Sequence, residues 1–212
     1  MNGYQDGTIK PLNNITREEV ASIFYRMLTD DSRKIFDTQN QDFSDINADR
    51  WSVGAIATLA NCGIITGNSD GTFAATKPIT RAEFAVVASR FDTLEENTDG
   101  IAFSDISGNW AEKYIKSAVK KGWITGYSDG TFKPNQYITR AEAMSLINRV
   151  LDRRVDATGL VDGYKTFSDV KATDWYYYQV IEATNNHDYA KRNSMSDMET
   201  WTKVKEDKTW TK

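Results

Sequence analysis

Three arginines stand where a positive charge is costly. The stretches "ITREE", "ITRAE" and "ITRAE" place Arg17, Arg81 and Arg140 directly after Thr16, Thr80 and Thr139, and two residues before Glu19, Glu83 and Glu142. A threonine with a glutamate three positions on is a capping box, in which the two side chains satisfy orphan amides at a helix start. Each arginine therefore lies in a first helical turn, facing the positive end of the dipole, an exposed-site penalty of about 0.3–1 kcal/mol. Something must offset it three times. One reading is an ion pair with an aspartate from another segment (Asp45, Asp105 or Asp169). The other is an anionic ligand, for which a guanidinium fork beside free helix-start amides is well suited. Both hold together if the aspartate positions the arginine.

The same loop precedes each arginine: "GYQDGTIKPLNN" from Gly3, "GNSDGTFAATKP" from Gly67 and "GYSDGTFKPNQY" from Gly126. The opening glycine can let a ligand approach the backbone closely, with Tyr4, Asn68 or Tyr127 beside it. An Asp-Gly turn follows, then an apolar residue, Ile9, Phe73 or Phe132, that reads as a buried plug. The "SDG" stretches fail as calcium loops. An EF-hand register puts Thr66 or Thr125 at its first position and Lys77 or Gln136 at its last, where carboxylates are required. No metal or cofactor is expected.

A second recurring unit, the head, opens with "FSD" at Phe43, Phe103 and Phe167. Trp110, Tyr114, Ile115, Ala118 and Val119 fall on one stripe at helical spacing. Trp51, Ile56, Leu59 and Ala60 repeat it, as do Trp175, Val180 and Ala183. The tryptophans can anchor that stripe, stack on a sugar face, or do both with different edges. Gly63 and Gly122 follow two of these helices as left-handed C-caps. The third has Asn185, Asn186 and His187 there, and asparagine also tolerates that conformation. His187, the sole histidine, reads as a cap or surface residue, with no partner at metal-binding spacing.

Loop-plus-helix and head alternate along the chain, three of each, with the first head and the last loop missing. A pseudo-threefold arrangement closes if the last head packs beside the first loop. The minimum is six helices joined by structured loops, with room for short strands. The segment 193–212, with Trp201 and Trp210, receives no element.

Composition limits the function. A chain of 212 residues, 40% hydrophobic and 12% aromatic, can bury a real core. A net charge of -4 without a basic block argues against nucleic acid. The single Cys62 excludes an internal disulfide framework and a cysteine zinc site. No apolar run approaches the roughly 20 residues that insert into a membrane. Met1 leads into a turn and not a signal peptide, so the expectation is an internal piece of a longer exported chain. Nucleophile elbow, phosphate-cradling loop and zincin helix are all missing. A carboxylate-only hydrolase needs no motif, yet the recurring glutamates already have a capping task. No enzyme and no catalytic residue is expected.

The combined pattern "FSD…W…I…GITG…DGTF.P…ITRAE" resembles the S-layer homology domain of bacterial surface proteins, over residues 3–190. The resemblance implies a mainly α fold, a pseudo-threefold bundle of three helix-loop-helix repeats with structured loops. The segments are 1–42, 43–100 and 101–166, with 167–212 completing the module. It also implies grooves between repeats that bind a polysaccharide attached to peptidoglycan, often through acidic pyruvylated sugars. Arg81 and Arg140 match the arginine of the TRAE motif, and Arg17 matches it within "TREE". Gly67 and Gly126 match the glycine that opens the ligand loop, as does Gly3 at the truncated start. Asp45, Asp105, Trp51 and Trp110 match head positions that line or support the groove. The expected function is noncatalytic anchoring at the bacterial cell wall. The alternative is a structural module contacting protein neighbours in a surface layer.

Overall fold

A computed structural model describes residues 1–193 and 198–207. Trp210 lies outside the described residues. The elements in order are α1 (Arg17–Met27), α2 (Asp30–Phe36), α3 (Val53–Asn61), α4 (Arg81–Phe91), α5 (Glu112–Lys120), α6 (Arg140–Val150), α7 (Tyr177–Thr184), β1 (His187–Lys191) and β2 (Glu199–Val204). The fold is mainly helical, as the repeats imply. All three capping boxes form, opening α1, α4 and α6. At the second, the Thr80 amide donates to Glu83 Oε2 at 2.8 Å and the Glu83 amide donates to Thr80 Oγ1 at 3.2 Å.

The chain divides into two compact units. One is Asn14–Ile138. Within it α1 packs on α3 and α4 on α5, so each capped helix pairs with the head helix that follows. Phe24 of α1 meets Phe84 and Phe91 of α4 edge to face, with ring centroids 5.8 and 5.2 Å apart. The isoleucines that precede the three capping threonines form a closed triangle of backbone hydrogen bonds. Ile15 donates to Ile138, Ile138 to Ile79 and Ile79 to Ile15, at 3.0–3.2 Å. All three are fully buried, so each polar backbone group is satisfied by a repeat-equivalent partner and not by water.

The other unit joins Met1–Asn13 to the described residues between Thr139 and Asp207. Here α6 packs on α7, and Ile9, Ala141, Met144, Tyr176 and Val180 form the core, with Phe167 against it. The last head therefore does pack beside the first loop. A second cluster, Val155, Ile181 and Trp201, seats an antiparallel β1–β2 hairpin, with Tyr189 opposite Trp201.

Four features differ from the sequence reading. Helix α2 buries no residue, so it shows no apolar stripe; Thr29 caps it through the Ser32 amide. The helices α3, α5 and α7 start two residues after Trp51, Trp110 and Trp175, which belong to the approach turn and not to the stripe. These rings are 51%, 62% and 64% exposed. Gly63 and Gly122 do form left-handed caps, each closed by the six-residue amide-to-carbonyl bond, Ile64 to Leu59 and Trp123 to Ala118. After α7, however, Asn185 is extended and the chain runs straight into β1. His187 is therefore neither a cap nor a surface residue: it is buried in the hairpin.

Candidate functional site

Each "FSD" is a clamp on a "DGT" loop. The Asp45 carboxylate accepts the amides of Phe73 and Ala74, both at 2.7 Å. Asp105 holds Phe132 and Lys133 at 2.8 and 2.7 Å, and Asp169 holds Ile9 and Lys10 at 3.0 and 2.8 Å. The second residue of each pair has positive φ (51 to 58°) without being glycine, a conformation that needs such outside support. The serine amide adds a bond to the turn glycine, Ser104 to Gly130 at 3.1 Å for example. Within each loop, a threonine hydroxyl and amide hold Asp6, Asp70 and Asp129 below the usual carboxylate range.

The phenylalanine of the clamp explains the opening glycine. A Cβ built on Gly67 would lie 2.5 Å from Cε1 of Phe43 and 2.7 Å from the Thr72 carbonyl oxygen. Gly126 and Gly3 meet Phe103 and Phe167 in the same way. Gly126→Ala is expected to cost about 1–3 kcal/mol, the range for overpacking. Urea unfolding of the variant checks it, and a change below about 0.5 kcal/mol, as at an ordinary surface site, would contradict the packing.

The arginines are held by the loops and not by the head aspartates. Arg17 Nε donates to the Phe73 carbonyl, Arg81 Nε to that of Phe132 and Arg140 Nε to that of Ile9, each at 2.8 Å. A further Arg81 bond reaches the Thr125 carbonyl at 2.8 Å. The offset to the helix dipole is thus a pair of backbone carbonyls, joined for Arg17 by the Glu83 carboxylate 2.7 Å from Nη1. Nor are the first helical amides free. Arg17 and Glu18 donate to Lys77 and Ala75, Arg81 and Ala82 to Gln136 and Pro134, and Arg140 and Ala141 to Asn13 and Pro11. The helix-start amides are therefore engaged within the protein at all three positions.

In the Asn14–Ile138 unit, Arg17 opens onto a groove of about 610 Å³. Gly67, Asn68, Arg90 and Trp110 line it with Arg17, above an apolar floor that includes Val86 and Val87. Three of the five N–H groups of Arg17 have partners among the described residues: the Phe73 carbonyl, Glu83 and, at 3.3 Å, the Thr66 carbonyl. The other two have none among the described residues. The groove holds two arginines against one glutamate, a net positive lining.

The other two arginines are more covered. Arg81 is 6% and Arg140 4% exposed. A tyrosine ring closes over each: Tyr127 sits 4.8 Å from Arg81 Cζ and 4.1 Å from Lys133 Nζ, and Tyr4 sits 5.1 Å from Arg140 Cζ and 4.2 Å from Lys10 Nζ. The equivalent of those tyrosines beside Arg17 is Asn68, which bonds back to Thr72 Oγ1 at 2.9 Å. The small amide leaves Arg17 more open.

Arg17, Gly67, Asn68 and Trp110 are thus brought together. Gly126 and Tyr127 lie with Arg81, and Gly3 and Tyr4 with Arg140. Asp45 and Asp105 act from beneath, through the loops, and Trp51 is exposed ahead of α3. Arg90 escaped the sequence reading, although its signal is plain afterwards. Arg26, Arg90 and Arg149 recur at one position in the last turn of α1, α4 and α6, where a cation on the dipole is ordinary.

Residues 1–21, 42–85 and 102–144 match the model of the S-layer homology domain. The chain is 40% identical over 195 residues to the "Cellulosome-anchoring protein" of Acetivibrio thermocellus, covering 89% of this chain and 42% of that protein. It is 36% identical over 202 residues to "Cell surface glycoprotein 1" of the same organism, covering 89% of this chain and 8% of that one. An "Endoglucanase" from a Bacillus species is 31% identical over 140 residues, 66% of this chain and 15% of the enzyme. The chain therefore spans less than half the length of these relatives.

Proposed function

The chain belongs to the S-layer homology domain family, and from that premise we propose that it is a noncatalytic anchor that binds an acidic cell-wall polysaccharide in the Arg17 groove. Its location is the bacterial cell surface, in association with the wall. The supporting observation is a groove with an arginine that keeps two N–H groups for a ligand, a second cation at Arg90, and an exposed indole at Trp110. A carboxylate on a sugar, such as a pyruvyl ketal, meets the guanidinium fork while the sugar face lies on the indole. The same covering area is unsuited to catalysis: Glu83 is committed to Arg17 and to the Thr80 cap, leaving no carboxylate pair across the groove. No described helix is long and apolar enough to cross a membrane.

The experiment is retention on purified wall sacculi before and after the acidic polymer is stripped. Retention lost on stripping is the expected result; unchanged retention would move the contact to peptidoglycan or to protein neighbours. Trp110→Ala removes an exposed ring and is expected to leave melting unchanged while weakening retention by the about 0.5–1.5 kcal/mol of an aromatic contact. Wild-type retention by this variant would remove the indole from the site.

A further inference from the structure

We propose that Glu182, His187 and Glu199 form a binding site for a divalent transition-metal ion, with Zn²⁺ the best geometric fit. Their ligand atoms lie within 4.8 Å of one another, and all three side chains are at most 2% exposed. His187 Nε2 is 3.3 Å from Glu182 Oε1 and 3.6 Å from Glu199 Oε2. Zinc–ligand bonds of about 2.0–2.2 Å at a tetrahedral angle put neighbouring ligand atoms roughly 3.3–3.6 Å apart. Two edges of the tetrahedron are already at that length.

The tautomer is set for it. His187 Nδ1 lies 2.9 Å from the Asn185 carbonyl oxygen, which can only accept, so Nδ1 carries the proton and Nε2 presents its lone pair to the carboxylates. Trp201 Nε1 donates to Glu182 Oε2 at 3.0 Å, and its indole stacks on the imidazole at 3.7 Å, fixing both ligands. This is the outer shell a metal ligand ordinarily has.

An independent observation points to a missing cation. Neither oxygen of the wholly buried Glu199 has a hydrogen-bond partner among the described residues. The nearest cationic nitrogens are Arg153 Nε at 3.4 Å and Lys191 Nζ at 3.6 Å. Arg153 also contacts His187 Nε2 and lies 2.8 Å from Glu182 Oε1, so one guanidinium serves three ligands. Its side chain is 25% exposed and can withdraw toward solvent, as no fully buried group could. A doubly charged ion replaces Arg153 with full neutralisation of both carboxylates, and water takes the fourth position. Glu182 lies on α7, His187 on β1 and Glu199 on β2, so the ion pins the hairpin to the helix.

The chain has one histidine, which makes the test direct. ZnCl₂ is titrated into chelator-treated protein while the single imidazole is followed by NMR. The expected result is a change in the Nε2 signal that saturates at one equivalent, with a rise in melting temperature reversed by EDTA. MgCl₂ leaves both unchanged, since Mg²⁺ favours six oxygen ligands. Arg153→Met, which removes the competing cation, is expected to bind Zn²⁺ about tenfold more tightly. An imidazole signal unmoved by excess Zn²⁺ in the wild type overturns the proposal, and an Arg153→Met variant that is folded and binds no more tightly overturns the competition.

Discussion

Phe132→Ala lowers stability by about 3–5 kcal/mol, the cost of emptying a large buried site. The ring has no exposed surface, packs 5.7 Å from the Phe103 ring and lies under the Arg81 guanidinium, 4.7 Å from Cζ. Collapse into the vacancy is opposed from three sides. The Phe132 amide is tied to Asp105, its carbonyl to Arg81 Nε, and the next residue is held in the left-handed region. A fixed backbone relaxes little, which puts the variant toward the upper end of the range. Equilibrium urea unfolding with both tryptophan fluorescence and circular dichroism measures it, and a loss under about 1 kcal/mol would mean that the plug is not packed as described.

Asp105→Ala is expected to cost about 2–4 kcal/mol. The carboxylate makes two bonds to backbone amides, and a hydrogen bond to a charged group contributes about 1.5–3 kcal/mol. The sum is tempered because the Lys133 amide is at the surface and water can replace one bond. Asp105→Asn should recover about half of the loss, since one oxygen still accepts while the amide group faces the other N–H. If the two variants are equally destabilised, the role of Asp105 is charge and not the two-point grip. An unaltered melting transition in both would remove the clamp altogether.

Much of the fold was legible because local chemistry repeats. The capping box at Thr16, Thr80 and Thr139, the Asp-Gly turns and the glycine caps each need only a few consecutive residues, and all of them form. What stayed hidden depended on distance along the chain. Nothing near Asp105 announces that it grips Lys133, 28 residues on. Gly126 suggested an approach route for a ligand, and the ring that fills its missing side chain belongs to Phe103. Helix α2 and the β1–β2 hairpin follow no repeat, so no second copy supported them. His187 shows the same limit most clearly: Glu182 faces it from α7, Glu199 is brought in by the hairpin, and Glu199 has no recognisable spacing from it. The arginines were correctly singled out as needing compensation. Of the two offsets the sequence offered, the head aspartate gives way to backbone carbonyls, which leave no trace in a sequence.

The most direct measurement is calorimetric titration of isolated wall-polymer fragments, with and without their pyruvyl groups, into the wild-type chain and Arg17→Gln. The pyruvylated fragments are expected to bind the wild type, with at least about a tenfold loss in the variant, the effect of one or two charged hydrogen bonds. The depyruvylated fragments should lose affinity for the wild type and show no further loss on substitution. Equal binding of both fragments to both chains would contradict the account.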